Sequence, residues 1–343
     1  MDAELERLRH HGDVDAEPGL LDFAVNVASI SPPLWLQRRL ADRLATLGQY
    51  PSAAEDLAVR EQVAARHGRR ADEVLLLAGG AEGFAMLPKL APQRAAVVQP
   101  SFTEPELALR EAGVPVDRVT LSAPYNLDAA TVPDAADLVV LGNPTNPTSV
   151  LHPADAIRDL RRPGRIVVVD EAFMDAVPGE PESIAGESLR DVLVLRSLTK
   201  TWSLAGLRCG YFLGPPDLLA RLQVGRAHWP VGSLQLEAIA ACSSETAVAL
   251  AQERAVQVGS DRAELADLLR DAGVEVALPA AGPFLLLRVP NGDRMRKELR
   301  RQGIAVRRCD TFPGLGSDHL RVAVRGTVEA KQLVAAMIEV ANG

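Results

Sequence analysis

Apolar residues in the first two thirds of the chain fall in short continuous runs and not in alternation. Runs at 74–77, 95–98, 138–141, 166–169 and 192–195 are apolar throughout. Strands buried on both faces read this way, whereas a strand with one wet face alternates. Helical spacing between the runs predicts helices over 55–67 and 154–161. This alternation of strand and helix predicts an α/β fold with a mostly parallel central sheet flanked by helices on both sides. Such sheets bind ligands beyond the carboxyl ends of their strands, and the polar motifs of this chain follow its apolar runs.

From Leu234 the pattern changes. Helical spacing over 234–241 leads to a longer helical stretch, 246–272, which Gly273 is placed to end. Strand-like 284–289, 304–306 and 320–324 then alternate with helical 293–302 and 328–340, which predicts a smaller α+β unit. The expected division is a large ligand-binding unit at 25–250 and a small closing unit built from 1–24 and 251–343. No repeat, low-complexity stretch or Gly/Ser linker separates them, so a shared interface is expected.

The 343 residues exceed a single average domain, in keeping with two units. Apolar residues make up 47% and aromatic residues 4%, so aliphatic packing must dominate the core. The net charge of −8 argues against nucleic acid and anionic membrane as partners. No run is long enough to span a membrane, and the first residues lack a basic-then-apolar leader, so a cytoplasmic protein is expected. Cys209, Cys242 and Cys309 are too dispersed for a metal knuckle, and six scattered histidines offer no helical pair, so no metal is expected.

The most informative stretch runs from Arg196 to Gly210. It places Ser197, Thr199, Lys200 and Arg208 just beyond the apolar run 192–195. The spacing from Lys200 to Arg208 lets a loop pass beneath a ligand and return an arginine to its phosphate. Asp170 ends the run 166–169 upstream. Pyridoxal-phosphate chemistry needs an amine to hold the aldehyde, here Lys200, and a carboxylate to keep the pyridine nitrogen protonated, here Asp170. It needs phosphate donors, for which Ser197, Thr199, Arg208 and the backbone of the glycine-rich turn 79–83 serve. A flat residue must also cover the ring, and Phe102 suits that. Singly each has a plainer reading as turn, core or solvated charge; their order and spacing carry the argument.

In that order the motifs resemble the fold-type I, pyridoxal-phosphate-dependent class I/II aminotransferases over nearly the whole chain. The similarity points to the branch holding histidinol-phosphate aminotransferase and the cobalamin-pathway threonine-phosphate decarboxylase. The resemblance implies that Lys200 tethers the cofactor and Asp170 faces its ring nitrogen. Asn146 would bond the ring hydroxyl, and Gly80, Ala81, Glu82, Ser197, Thr199 and Arg208 would hold the phosphate, with Phe102 on the ring face. Tyr50 matches a tyrosine that reaches the neighbouring subunit's phosphate, which implies a homodimer with shared sites. Arg321 matches the substrate-carboxylate arginine, Arg307 a position used for a substrate phosphate, and Asn26 a residue near the substrate.

The chain departs from the family pattern in four places. Phe173 stands where tyrosine is common, and Ser149 where glycine is common. The segment 26–33 lacks the usual Asn-Pro-Leu-Gly, and Glu82 suits a phosphate only if its side chain turns outward. The resemblance implies amino transfer from a small phosphorylated amino compound to a 2-oxo acid, of the histidinol-phosphate type. Decarboxylation of threonine phosphate is the alternative, supported by the segments 11–13, 21–23 and 306–315. A non-catalytic regulatory protein of the same fold is a third reading, against which the presence of Lys200 counts.

Overall fold

A computed structural model describes residues 3–10 and 12–343. After the short β1 (Leu21–Asp22), the chain builds β2 (Val74–Leu77), β3 (Ala95–Gln99), β4 (Val116–Thr120), β5 (Leu138–Gly142), β6 (Ile166–Asp170), β7 (Val192–Ser197) and β8 (Gly210–Leu213). The last seven form one sheet in the order β2-β8-β7-β6-β5-β3-β4. Neighbours from β7 to β4 are parallel, while β8 runs antiparallel to both β2 and β7. All five predicted runs are strands of this sheet, and β2, β3, β5 and β7 are buried along their full length. Apolar side chains cover both faces, giving one core on each side of the sheet.

The second unit is a four-stranded antiparallel sheet in the order β12-β13-β10-β9, from β9 (Glu275–Val276), β10 (Phe284–Arg288), β12 (Arg307–Arg308) and β13 (His319–Ala323). β11 (Ile304–Ala305) pairs in parallel with β1, so β1 belongs to this unit, whereas the helix Ala3–Leu8 lies against the large one, with Thr103 Oγ1 donating to the Leu8 carbonyl at 2.6 Å. Phe23, Leu265, Leu269, Leu285, Val322 and Leu333 share its core. The helix Glu245–Asp271 runs through both units. Its Ala247 and Ala251 sit in the core of the large sheet, and its Leu265 and Leu269 in the small one. The division expected at 250/251 therefore falls inside one continuous helix.

Two features bring the units together beside the carboxyl ends of β5 to β7. The first is the segment that follows β1. Asp22 Oδ1 accepts from the Ala24 and Val25 amides at 2.7 and 2.9 Å, and Arg325 Nη2 donates to the Val25 carbonyl at 2.7 Å. The segment is thereby turned toward the large sheet, where the Ala28 amide donates to the Lys200 carbonyl at 3.1 Å. The second is Ser149, which occupies the left-handed region itself, with φ of 64°. Its hydroxyl accepts from the Gly282 amide at 2.8 Å, and its carbonyl accepts from the Ala281 amide at 2.7 Å. A serine at the glycine position thus keeps the turn and adds a bond between the units.

Candidate active site

The carboxyl ends of β6 and β7 deliver the two central groups. Asp170 is the last residue of β6, and Ser197 the last of β7, with Lys200 three residues on. A buried ionic cluster fixes these strand ends. Arg196, only 1% exposed, donates to Glu171 at 2.9 Å, to Glu180 at 2.8 Å and to Asp175 at 2.5 Å. Glu171, which follows Asp170, also accepts from Ser183 Oγ at 2.7 Å. The main chain on either side of Asp170 is thereby tied to β7 and has little freedom to turn.

Asp170 and Lys200 face one cavity of about 470 Å³. Burial pushes the Asp170 carboxyl up to about 7; the Ala172 amide, donating at 3.0 Å, and the charge of Lys200 oppose the rise, while Glu171 adds to it. A carboxylate in that state gains strongly from a cationic partner. Asn26, Gly80, Ala81, Phe102, Asn146, Ser197, Thr199, Arg208 and Arg321 line the same cavity. The structure therefore gathers eleven of the fourteen expected site residues around one space, counting Asp170 and Lys200 with these nine.

At one end the cavity is shaped for an anion. Ser197 and Thr199 hydroxyls lie 2.7 Å apart, and Arg208, at φ of 63°, returns over the start of the helix Gly80–Met86. Gly79 lies in the left-handed region at φ of 85°, where glycine is favoured, and a Cβ there would stand 2.8 Å from Arg208 Nη2. Phe102 packs against Phe84 with ring centroids 5.9 Å apart and presents itself to the cavity.

At the other end stands Arg321, 4% exposed. It donates to Asn146 Oδ1 and to the Ala24 carbonyl, both at 2.5 Å. Its Nε is buried without a partner, and among the described residues it has no carboxylate in ion-pairing range. Burial, with the nearby charge of Arg307, pulls its pKa below the ordinary range. Asn26 likewise buries both amide atoms without partners. Unsatisfied buried groups of this kind are costly unless a guest completes them. A small anion with hydrogen-bonding capacity would complete the Arg321 guanidinium.

Phe173 lines the cavity too, edge-on to Phe284 at 4.9 Å, and Phe284 lies 5.5 Å beneath the Arg321 guanidinium. Where tyrosine would offer a hydroxyl, this chain builds an aromatic stack under the arginine.

The other three expected residues lie off the cavity. Glu82 turns away, as its charge requires: its carboxylate accepts from Ala78 at 2.6 Å and from Arg226 at 2.8 and 2.9 Å. Its own amide donates to the Gly79 carbonyl at 3.2 Å. Tyr50 is 75% exposed and stacked on Trp229 at 4.5 Å, far enough round the surface to be absent from the lining. Arg307 pairs with Arg321 across β12 and β13, yet its side chain is held by Asp15. Sequence reasoning missed Asp15 and Arg226, since a partner far along the chain leaves no local signal. The segment 11–13 is described only in part: His11 and the Asp13 side chain lie outside the described residues, while Gly12 lines the cavity.

The family model described as Aminotransferase class I and II matches residues 20–338. The chain belongs to that family. Among its relatives is a histidinol-phosphate aminotransferase of Mycobacterium bovis, 58% identical, with 98% of this chain and 91% of that protein covered. A threonine-phosphate decarboxylase of Salmonella typhimurium is 32% identical, with 94% and 92% covered. The solved histidinol-phosphate aminotransferase of Clostridium acetobutylicum superposes with a TM-score of 0.87 at 22% identity, covering 94% of this chain and 99% of that one, a likeness of fold. The fold is thus the fold-type I architecture of pyridoxal-phosphate-dependent aminotransferases, and the family's cofactor is pyridoxal 5′-phosphate. The cavity fits that group: an anion cradle at Ser197 and Arg208, a flat wall at Phe102, and a buried acid and an amine between them.

Proposed function

We propose that this aminotransferase acts on a small phosphorylated amine of the histidinol-phosphate type and passes the amino group to a 2-oxo acid. The observation that carries the reading is Arg321, a buried cation with no carboxylate in ion-pairing range among the described residues, facing the same cavity as Asp170 and Lys200. The 58% identity to a histidinol-phosphate aminotransferase over nearly the full length supports it.

When bound, the cofactor supplies an electron sink for the bonds at the substrate's Cα. Each residue then has a role that follows from its place. Lys200 Nζ would hold the cofactor's aldehyde carbon and would serve as the base that takes and returns the proton at the substrate's Cα. Asp170 holds a proton on the ring nitrogen through a charge-assisted hydrogen bond. Ser197, Thr199, Arg208 and the Gly80 and Ala81 amides bind the cofactor's phosphate. Asn146 would bond the ring hydroxyl and Phe102 would cover the ring face. Arg321 orients an anionic group of the substrate or of the 2-oxo acid, and Asn26 completes its amide bonds there.

A homodimer in the cytoplasm belongs to the same proposal. Between residues 30 and 50, Ile30, Leu34, Leu44, Leu47 and Tyr50 are all exposed, an apolar surface suited to a second copy that would carry Tyr50 toward the neighbouring site. The small unit, 1–24 with 251–343, would close on the large one at 25–250.

The test supplies histidinol phosphate with 2-oxoglutarate and measures glutamate. Borohydride treatment of the yellow protein should fix the cofactor at Lys200, read by peptide mass. Glutamate formation with attachment at Lys200 is expected; a protein that binds no pyridoxal phosphate would end the reading. A second reading, decarboxylation of threonine phosphate, draws on the 32% identical relative and is scored by carbon dioxide release in a parallel assay.

A further inference from the structure

The two arginines of β12 and β13 are neighbours in register but opposite in electrostatic state. Arg321 is buried with a bare Nε and, among the described residues, no acid in ion-pairing range. Arg307 is equally buried and almost fully engaged. Its Nη1 donates to Asp15 Oδ2 at 3.1 Å, and its Nη2 donates to the His10 carbonyl and to Thr311 Oγ1, each at 2.9 Å. Its guanidinium also lies 5.0 Å from the Phe312 ring centre.

Asp15 is the centre of this arrangement. It is 5% exposed, and cationic or protonatable groups face it from three parts of the chain. Arg307 approaches from β12, Arg296 at 3.8 Å from the helix Gly292–Arg301, and His10 Nε2 at 3.3 Å from the N-terminal segment. Arg300 donates to the Asp15 carbonyl at 2.7 Å, while Arg308 is taken by Asp310. Two guanidinium groups and an imidazole around one small acid make a donor set suited to a phosphate group. Here the acid is supplied by the protein. Gly12, which lines the cavity, also borders this group. A Cβ there would stand 3.5 Å from Arg307 Cδ, 3.6 Å from Arg321 Nη2 and 2.9 Å from the Ala24 carbonyl oxygen.

We infer that Asp15 is a specificity-determining positioning residue: it is an internal counter-ion on Arg307, and a dianionic phosphate group of the substrate, met by Arg321, engages that second arginine only by replacing the Asp15 carboxylate. This rests on the reading above that Arg321 receives the substrate's anionic group. The pair acts as a competition, since the apparent affinity of Arg307 for an outside anion is lowered by the fraction of time Asp15 occupies it. A monoanionic ligand is met by Arg321 alone. A ligand with a second, phosphate-like charge is the kind able to outcompete a single carboxylate for two arginines. Asp15 thus sets a threshold of charge for the second subsite.

The test compares the pyridoxal-phosphate-loaded wild type with Asp15→Asn by calorimetric titration with inorganic phosphate, which requires no turnover. Removing the internal competitor should tighten phosphate binding about tenfold. Adding Arg307→Gln to Asp15→Asn should abolish that gain, and Asp15→Glu should restore weak binding. In steady state Asp15→Asn should lower KM for histidinol phosphate while leaving kcat within about twofold. Phosphate binding that is unchanged or weaker in Asp15→Asn, or a gain that survives the loss of Arg307, would overturn the inference. If the amide variant does not fold by circular dichroism, Asp15→Ser removes the same charge and is read the same way. An enzyme that ignores histidinol phosphate yet shows the phosphate gain would sink the proposed substrate while leaving the role of Asp15 standing.

Discussion

Arg321 and Asp170 bring opposite charges into one cavity, and burial works against both. For Arg321 the remedy is an anion that accepts two parallel hydrogen bonds, a geometry that lysine cannot match. Arg321→Lys is therefore expected to raise KM for anionic substrates about 10- to 100-fold with a smaller change in kcat, measured in steady state. Asp170 responds to pH. Its pKa in the fold, about 7, lies above that of the unfolded chain, so the folded protein holds a proton that the unfolded one has released across roughly pH 4 to 7. Stability of the cofactor-free protein should fall as pH rises through that window and level off above it. Asp170→Asn removes the penalty. Its cofactor-free melting temperature should match the wild type near pH 4.5 and exceed it at pH 8, while the loaded variant should lose turnover about 100-fold or more. A variant no more stable than wild type at pH 8 would refute the buried-acid account. Of these two residues, strand-end position and its spacing to the lysine loop pointed to Asp170 because both are local signals, whereas Arg321 was legible only through the family resemblance. The bare Nε of Arg321 was not readable, since it depends on what surrounds β13.

At the scale of elements, Ser149 shows how a departure from a pattern is absorbed. The turn keeps a left-handed residue, and its hydroxyl then satisfies the Gly282 amide in the other unit. Ser149→Ala should cost about 1–3 kcal/mol in chemical denaturation, because it leaves that buried amide unpaired and keeps the backbone strain. Ser149→Gly loses the same bond but relieves the strain, and should cost less. Burial on both faces made the central strands legible. β4 and β8 escaped for different reasons. β4 reads Val-Asp-Arg-Val-Thr and is a half-exposed edge strand, so charges interrupt its apolar pattern. β8 is four residues, Gly-Tyr-Phe-Leu, directly after the lysine loop, and its antiparallel insertion between β2 and β7 has no signature in periodicity. Helices of the second unit were read to within about two residues at their ends, as their apolar spacing is regular; 154–161 was not, for the helix stops at Arg158.

For the whole molecule, the exposed apolar surface between residues 30 and 50 is the feature that a lone chain leaves unexplained. If a second copy covers it, a charge placed there should separate the subunits. Leu47→Asp is expected to shift sedimentation from dimer to monomer and to depress activity through the loss of Tyr50 from the neighbouring site; a wild-type protein that sediments as a monomer would dismiss the arrangement.

The helix Glu245–Asp271 has a mechanical consequence. At 1.5 Å per residue its 27 residues make a rod about 40 Å long, gripped at one end by alanines and at the other by leucines. A rod clamped at both ends does not hinge freely. Any swing of the smaller lobe must flex the shaft or let the smooth alanine end slide in its seat, so bulkier side chains at Ala247 or Ala251 would stiffen the stroke without touching the chemistry.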